Sequence, residues 1–343
     1  MTNTAIRRST DQRVYDPPES GEESLVTTAS ARRRTLAAAL MAVALTGAAA
    51  VPAVASAAPP KAPGHDRAAD ILRAGNGESA RLGYQKAVAV QVLKGVFERG
   101  DASVVDRFVR PDYIQHNPLA PDGSDALKYF GAVQRQQYPD LAYGIKRVTS
   151  EGDLVLVHSN IVLTPGTRGV AAFDIFRFQG GKIAEHWDVL QAVPATTANG
   201  NDMFSTVSRP RTEAPGPAWL TAYNKKLVTA FVDRLLAKKD MSAIDAYVGP
   251  EYHQHNPNIP DGVAGVKAGL GAYFTQFPQL RITPKRIIAE GDLVAVHSNY
   301  VATPGTRGQA VVDLFRVRGG RIVEHWDAVQ EVPETSANDN TMF

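Results

Sequence analysis

The chain has 343 residues, a formal net charge of +2 from 37 basic and 35 acidic side chains, and no cysteine. The near balance of charge excludes the basic stripe that nucleic-acid-binding proteins carry, so no nucleic-acid partner is expected. The absence of cysteine excludes disulfide bonds and thiolate chemistry.

The first 57 residues have the features of a signal peptide. Arg32-Arg33-Arg34 precedes an apolar stretch at 36–51, and a small-residue cleavage site follows at Ala55-Ser56-Ala57. Both a general secretory signal and a twin-arginine signal, on Arg33-Arg34, fit this pattern. The apolar stretch is shorter than the ~20 residues that span a bilayer, so no stable membrane anchor is expected after cleavage. We therefore expect a secreted or exported protein, with a flexible tether at 58–83.

The rest of the chain contains one sequence twice, at a constant offset. Residues 84–204 match residues 223–343 without insertion or deletion, across a Pro-rich linker at 205–222. Each copy has about 120 residues, the size of an independent folding unit, so we expect two tandem domains and not a solenoid. Polar residues repeated in both copies are candidates for a role, although a recent duplication would preserve them as well.

Each copy begins with helical patterns and ends with strand patterns. In the first copy, the apolar spacing predicts three helices, at 86–99, 102–109 and 124–137, with a short extended piece at 113–116. Strands are predicted at 141–150, 154–163, 169–178 and 182–193. Helices followed by a four-stranded meander predict an α+β fold with the helices on one face of an antiparallel sheet.

The last two strands form a hairpin whose register decides which side chains share a face. With Gly180-Gly181 as a two-residue loop, Asp174 and Phe176 lie on the face of Trp187, and His186 and Asp188 lie on the other. A three-residue loop or a bulge exchanges these two sets, so both arrangements stay open. In each copy the arginine of this hairpin, Arg177 or Arg316, is expected to form a cross-strand ion pair.

Four segments carry a resemblance to a known family. They are Tyr113-Ile114-Gln115-His116-Asn117-Pro118, Asp174-Ile175-Phe176-Arg177, Gly181-Lys182-Ile183-Ala184-Glu185-His186-Trp187-Asp188 and the tail Ala198-Asn199-Gly200-Asn201-Asp202-Met203-Phe204, all repeated in the second copy. They resemble the nuclear transport factor 2-like superfamily, and more closely its SnoaL-like branch of polyketide cyclases and aldol-condensation proteins. The resemblance implies two tandem cone-shaped domains, each with three N-terminal helices on a strongly curved antiparallel β-sheet and an apolar pocket. Members dimerise through the outer sheet face, so the resemblance also implies an intramolecular pseudo-dimer of the repeats.

Cyclases of this branch use an aspartate and a histidine on a carbonyl substrate, without a cofactor. The catalytic candidates are therefore Asp174, His158, His116 and Asp188 in the first copy and Asp313, His297, His255 and Asp327 in the second. The expected pocket residues are Tyr113, Phe176, Trp187, Gln191, Tyr252, Phe315, Trp326 and Gln330. The alternative for each polar candidate is a buried structural hydrogen bond or a loop cap. The family's acid and histidine lie across one hairpin, and this chain has Asp174 or Asp313 at that histidine's place.

Several functions stay open, since the superfamily includes isomerases, cyclases, hydrolases, dehydratases and binding domains. We expect acid–base chemistry of the aldol, cyclase or isomerase type on a small apolar or carbonyl-containing ligand. The alternatives are a secreted binding module without catalysis and a structural pseudo-dimer with vestigial pockets. His253 and His255 have the spacing of metal ligands, but Ile114 replaces His253 in the first copy, so no metal is expected. The resemblance implies that no cofactor is needed.

Overall fold

The computed structural model of the protein describes residues 77–209 and 216–343. The predicted signal peptide lies outside these residues, as do most of the predicted tether and residues 210–215 of the predicted linker. Among the helices of the two described ranges, none is long and apolar enough to cross a membrane.

The first repeat contains three α-helices and five strands. They are α1 (Glu78–Leu93), α2 (Ser103–Phe108), β1 (Val109–Gln115), α3 (Ser124–Gln137), β2 (Ala142–Glu151), β3 (Leu154–Val162), β4 (Val170–Gln179) and β5 (Lys182–Ala192). A π-helical turn at Lys94–Arg99 follows α1. Helix α1 begins at Glu78, inside the segment predicted as a tether.

The second repeat has the same elements in the same order. They are α4 (Ala218–Val232), α5 (Ser242–Tyr247), β6 (Val248–Gln254), α6 (Gly262–Gln276), β7 (Arg281–Glu290), β8 (Leu293–Val301), β9 (Gln309–Arg318) and β10 (Arg321–Glu331). A π-helical turn at Asp233–Ala237 follows α4. Helix α4 begins inside the predicted linker.

Each repeat folds into one five-stranded sheet with the strand orders β1-β5-β4-β3-β2 and β6-β10-β9-β8-β7. The four long strands form the predicted antiparallel meander. The short strand β1 lies at the edge and runs parallel to β5, so the sheet is mixed and not purely antiparallel as predicted. A sequence pattern marks β1 as extended, but its partner is set by the crossover that α3 and β2–β4 make. The two-domain α+β prediction is confirmed.

A β-bulge in the last hairpin decides the faces of the sheet. Gly180 and Gly181 form the two-residue loop with φ angles of 61° and 78°, a left-handed conformation that glycine adopts at little cost. Phe178 pairs with Ile183 as predicted, but the register then shifts, so Arg177 pairs with Glu185. Of the two arrangements left open, the structure has the bulged one, and the two-residue-loop register with Asp174 opposite Trp187 is not observed. Asp174 lies opposite Asp188.

Among the described residues, the apolar side chains form three buried clusters. One lies between the helices and the sheet of the first repeat, and a second lies at the same place in the second repeat. The third contains outer-face side chains from both repeats, among them Phe173 and Trp187 from the first and Leu314 and Trp326 from the second. The bulge thus leaves Asp174 on the helix-facing side and Trp187 on the outer side.

Candidate active site in each repeat

Two carboxylates and an imidazole meet on the helix-facing side of the sheet. Strand β4 carries Asp174, and strand β5 carries His186 and Asp188. All three are buried; Asp174 is 2% exposed and Asp188 6%. Their surroundings are the apolar side chains of the first cluster, including Phe176, whose ring stacks on His186 at 4.7 Å. Buried polar groups need partners, so the hydrogen bonds of this cluster define its chemistry.

His186 is held at both ring nitrogens. Its Nε2 lies 3.1 Å from Asp174 Oδ1, and its Nδ1 lies 2.9 Å from Gln115 Oε1. The amide of Gln115 is itself oriented, because its Oε1 accepts from the backbone N–H of Asn117 and its Nε2 donates to the Tyr113 hydroxyl. Both ring nitrogens of His186 therefore face oxygen atoms that accept hydrogen bonds.

The second carboxylate of the cluster, Asp188, is only half satisfied. Its Oδ2 accepts a 2.6 Å hydrogen bond from Asn117 Nδ2. Within residues 77–209 and 216–343, its Oδ1 has no hydrogen-bond partner. Burial raises the pKa of Asp188 to about 6; His186 and Asn117 lower it, and Asp174 raises it further. The result is a carboxyl group that changes charge close to neutral pH.

The second repeat reproduces this arrangement. His325 contacts Asp313 Oδ1 at 3.0 Å and Gln254 Oε1 at 2.8 Å, and Asn256 donates to Asp327 at 2.6 Å. Burial raises the pKa of Asp327 to about 6. Burial alone lowers the pKa of His325, but its hydrogen bond to Asp313 and the two nearby carboxylates outweigh burial and raise it.

The two sites differ at the second oxygen of the strand β4 or β9 aspartate. Asp313 Oδ2 accepts a 3.0 Å hydrogen bond from the Tyr300 hydroxyl. The corresponding Asp174 Oδ2 has no partner among the described residues. In the first repeat, Ile161 occupies the place of Tyr300.

The structure brings together only part of the predicted site. Asp174, Asp188, Tyr113 and Phe176 lie in the cluster of the first repeat, and Asp313, Asp327, Tyr252 and Phe315 lie in that of the second. Their catalytic or ligand-binding roles stay predictions.

The predicted histidines on β3 and β8 lie on the outer face. His158 stacks on Phe173 at 4.2 Å, and its Nδ1 lies 3.1 Å from Arg147. Burial, with help from Arg147, lowers the pKa of His158 well below its ordinary value. Burial likewise lowers the pKa of His297 to about 3. Both are neutral imidazoles that accept a hydrogen bond from an arginine, and they lie away from the aspartate cluster.

The histidines of the Gln-His-Asn-Pro segments also face outward. His116 stacks on Trp187 at 4.7 Å and bonds Glu185 at 2.8 Å, and His255 stacks on Trp326 at 5.1 Å. Gln191 and Gln330 each accept from a backbone N–H of the other repeat, at Val329 and Leu190. Since the bulge exchanges the two faces, the predicted pocket residues Trp187 and Trp326 lie on the outer side and do not line the helix-facing cluster. The predicted ion pairs are confirmed, with Arg177 on Glu185 and Arg316 on Glu324.

Sequence analysis put His186 and His325 on the face opposite the aspartates of β4 and β9, and it left out the amides that orient them, Gln115, Asn117, Gln254 and Asn256. The signal was present, because these residues recur in both copies. The prediction placed His186 on the face opposite Asp174, and only the bulge moves it beside that carboxylate.

The cluster has the donor atoms of a small cation site, and hydrogen bonds already engage most of them. One nitrogen or oxygen from each of Asp174, His186 and Asp188 lies within 4.8 Å of the others. Both nitrogens of His186 and one oxygen of each carboxylate are bonded within the protein. In the alternative pair, His255 bonds Glu324, while His253 lies 3.6 Å from Asp261.

The sequence was compared with known families and structures. The model of the family described as SnoaL-like domain matches residues 90–186 and 228–325, more than half of the chain. The chain belongs to the SnoaL-like domain family. A search of curated protein sequences found no match.

Similar solved structures match about one repeat each. A candidate polyketide cyclase from Acidithiobacillus ferrooxidans is 21% identical, covering 31% of this chain and 87% of its own, with a TM-score of 0.27. IdmH, a candidate polyketide cyclase from Streptomyces antibioticus, is 23% identical, covering 31% and 91%, with a TM-score of 0.27. AclR, a candidate hydroxylase from Streptomyces galilaeus, is 25% identical, covering 32% and 81%, with a TM-score of 0.28.

Proposed function

We propose that this SnoaL-like protein performs cofactor-independent acid–base chemistry of the aldol, cyclase or isomerase type on a carbonyl compound. The observation that carries the proposal is the half-satisfied Asp188, whose pKa burial raises to about 6 beside the His186–Asp174 pair. A base with a pKa near the working pH combines a large ionised fraction with useful basicity. Membership of the SnoaL-like domain family supports this class of reaction.

In the proposed reaction, Asp188 takes a proton from the carbon next to a substrate carbonyl. Its Oδ1 is the acceptor, because Oδ2 is held by Asn117. The enolate oxygen that forms needs a hydrogen-bond donor. The Tyr113 hydroxyl accepts from Gln115 Nε2 and keeps its own proton to give. His186 stabilises the ionised form of Asp188, since its charge lowers that pKa.

The rival function is a binding module or a vestigial pocket, and one observation favours it for the second repeat. The Tyr300 hydroxyl donates a hydrogen bond to Asp313 Oδ2. The matched oxygen of the first repeat, Asp174 Oδ2, has no partner among the described residues. An unbonded carboxylate oxygen beside the base can accept a hydrogen bond from a substrate hydroxyl, and within the described ranges only the first repeat offers one at this position. We therefore propose the first repeat as the more active site and a ligand-holding or reduced role for the second.

The outer residues support a different part of the proposal, an intramolecular pseudo-dimer. Arg286 of the second repeat lies 3.6 Å above the Trp187 ring of the first, and Arg147 lies 3.9 Å above Trp326. The third apolar cluster adds buried side chains from both repeats. These contacts give His158, His297 and the two tryptophans a role in pairing. Export is a further part of the proposal, and the N-terminal sequence of protein collected outside producing cells tests it.

The test of the proposed reaction is proton–deuterium exchange at the α-carbon of a panel of ketones and β-dicarbonyl compounds. We expect the mature wild-type protein to catalyse exchange and the Asp188→Asn/Asp327→Asn double variant to lose about 100-fold or more, the size of a general-base contribution. Asp140→Asn, at an exposed aspartate, is the matched control and should behave as wild type.

Two outcomes would contradict this proposal. If folded wild-type protein leaves the proton–deuterium exchange rate of every compound at its uncatalysed value, the binding module is favoured. Unchanged exchange in the folded double variant would place the chemistry elsewhere. The single variants divide the activity between the repeats, and we expect Asp188→Asn to remove the larger share.

A further inference from the structure

The site in each repeat depends on the loop that follows the edge strand, residues 116–123 in the first repeat and 255–262 in the second. Gln115, the last residue of β1, and Asn117, in the first loop, direct their side chains to His186 and Asp188. The backbone carbonyl groups of the same loop need donors of their own, because an unpaired buried backbone group costs free energy.

In the first repeat the Asn117 carbonyl group accepts from the Ala120 N–H within the loop, and further donors come from the far end of the second repeat. We name residues 336–343 the second tail and residues 197–204 the first tail. Asn338 Nδ2 donates to the carbonyl groups of Asn117 and Ala120, at 2.8 Å each. Further contacts of the second tail include Ala337 N to Pro118 O at 2.8 Å, Asn340 Nδ2 to Gln115 O at 3.0 Å, and His116 Nδ1 to Thr341 O at 2.5 Å. Asn340 Nδ2 also donates to the Asp122 carboxylate, at 2.9 and 3.1 Å.

The first tail makes the reciprocal contacts with the second repeat. Asn199 Nδ2 donates to the carbonyl groups of Asn256 at 2.6 Å and Ile259 at 3.0 Å. The others are Ala198 N to Pro257 O at 2.8 Å, Asn201 Nδ2 to Gln254 O at 3.0 Å, and His255 Nδ1 to Asp202 O. Matched residues thus make matched bonds in both directions, which a chance contact between surfaces would not produce.

Each tail is also fixed on its own side. Asn338 Oδ1 accepts from the backbone N–H of Asn340, and Asn199 Oδ1 accepts from that of Asn201, so each amide is locked in a local turn. The Nδ2 atoms of Asn338 and Asn199 therefore point at the carbonyl groups of the loop in the other repeat. Nearer the end of each tail, the side chains of Met203 and Met342 are buried. The tail therefore presents a preorganised pair of donors and not a loose strand end.

We infer that the two tails are exchanged, so that each completes the active site of the other repeat. Asn338 and Asn199 are positioning residues in this arrangement. Asn338 holds the backbone of Asn117, whose side chain holds Asp188, and Asn199 holds Asn256 and through it Asp327. The assignment of Asp188 and Asp327 as reacting groups rests on the proposed function, but the exchange of tails is measured without turnover.

The test compares Asn338→Ala with Asn199→Ala, a matched pair, in the mature full chain by NMR. The probes are the side-chain amide signals of Asn117 and Asn256, which donate to the two carboxyl groups. We expect Asn338→Ala to shift the Asn117 signal and speed its exchange with water by about tenfold, leaving Asn256 unchanged. Asn199→Ala should do the reverse.

The crossed response is what distinguishes positioning from a general loss of stability. A response in the same repeat as the substitution, an equal response in both repeats, or no response would overturn the inference. If either alanine variant fails to fold, Asn340→Ala and Asn201→Ala repeat the test. The first removes the hydrogen bonds to the Gln115 carbonyl group and the Asp122 carboxylate, and the second removes the hydrogen bond to the Gln254 carbonyl group. A crossed NMR response in a protein that catalyses no proton–deuterium exchange at any substrate would reject the proposed function, and the inference on the exchanged tails would stand.

Discussion

The two repeats surround their carboxylates with the same residues but place one tyrosine on different strands. In the first repeat, Tyr143 on β2 pairs with Ile161 on β3. In the second, Ile282 on β7 pairs with Tyr300 on β8. Each cross-strand pair supplies one aromatic and one aliphatic side chain, so the core keeps a similar volume. Only Tyr300 reaches the aspartate, at 3.0 Å from Asp313 Oδ2. An exchange that is conservative for packing can thus change the hydrogen bonding of a site.

A second difference between the repeats lies in the outer glutamates. Glu324 is 0% exposed, with hydrogen bonds from Val207, Ser208 and His255. The matched Glu185 is bonded to His116 and Arg177, and its side chain is 16% exposed. The same ion pair therefore has a different environment in each repeat.

The largest expected effect is the loss of stability on removing the buried glutamate of the second repeat. Glu324→Ala should lower the free energy of unfolding by about 3–5 kcal/mol, because it removes the buried carboxylate partner of His255 and one of the two carboxylate partners of Arg316. The matched control Glu185→Ala should cost about 1 kcal/mol, since water reaches that pair. Urea unfolding at pH 7 measures both. Equal losses would contradict the comparison.

The effect of Glu324 should also depend on pH. Burial raises its pKa, but the hydrogen bonds from His255 and Ser208 outweigh burial and hold the pKa at about 2. A carboxyl whose pKa is lower when folded stabilises the protein above its unfolded pKa of about 4.3. That contribution is lost as the pH falls from there through 2, so the deficit of Glu324→Ala should shrink over this range.

The next effect concerns the matched carboxyl groups of the two sites and the pH dependence of stability. Burial raises the pKa of both Asp188 and Asp327 to about 6. A raised folded pKa favours folding below the unfolded value of about 3.9, and this benefit is lost as the pH rises through 6. Asp188→Asn and Asp327→Asn should therefore each stabilise the protein at pH 8, by up to about 3 kcal/mol, and by little at pH 4.

Thermal unfolding across this pH range measures the change, with Asp140→Asn as the exposed control. A stabilisation that is independent of pH would show that the two carboxyl groups are not the titrating groups. A difference between the two variants would show that Tyr300 also acts on Asp327.

The smallest expected effect tests the exchanged tyrosine itself. Tyr143→Ile/Ile161→Tyr transplants the pair of the second repeat into the first, and should slow exchange by the first site about tenfold, the effect of one added hydrogen bond of 1.4 kcal/mol. Tyr300→Phe should speed exchange by the second site by a similar factor, because it frees Asp313 Oδ2 to accept a hydrogen bond from a substrate hydroxyl beside the reacting Asp327. Asp327→Asn and Asp188→Asn backgrounds isolate the two sites. Unchanged rates in both variants would remove Tyr300 as the cause of any difference.

The positions of the helices and strands followed from local patterns, and the bonding of the site did not. Alternating apolar residues on β4 and β5, with Gly180-Gly181 between them, predicted the hairpin. A bulge of one residue then moved Trp187 away from Asp174 and brought Asp188 opposite it. A register shift exchanges faces without changing the alternation, so the pattern cannot reveal it.

Sequence by itself determined the two repeats, their α+β content and their SnoaL-like resemblance, because these depend on periodicity and on residues near one another in the chain. It also brought forward Asp174 and Asp188 with their partners Asp313 and Asp327. Only the tertiary structure decided that His186 and Asn117 meet those carboxyl groups and that His158 and His116 do not. It alone showed that Asn338 contacts Asn117. These contacts join residues far apart in the chain, and their hydrogen bonds depend on ångström-scale distances that no local pattern encodes.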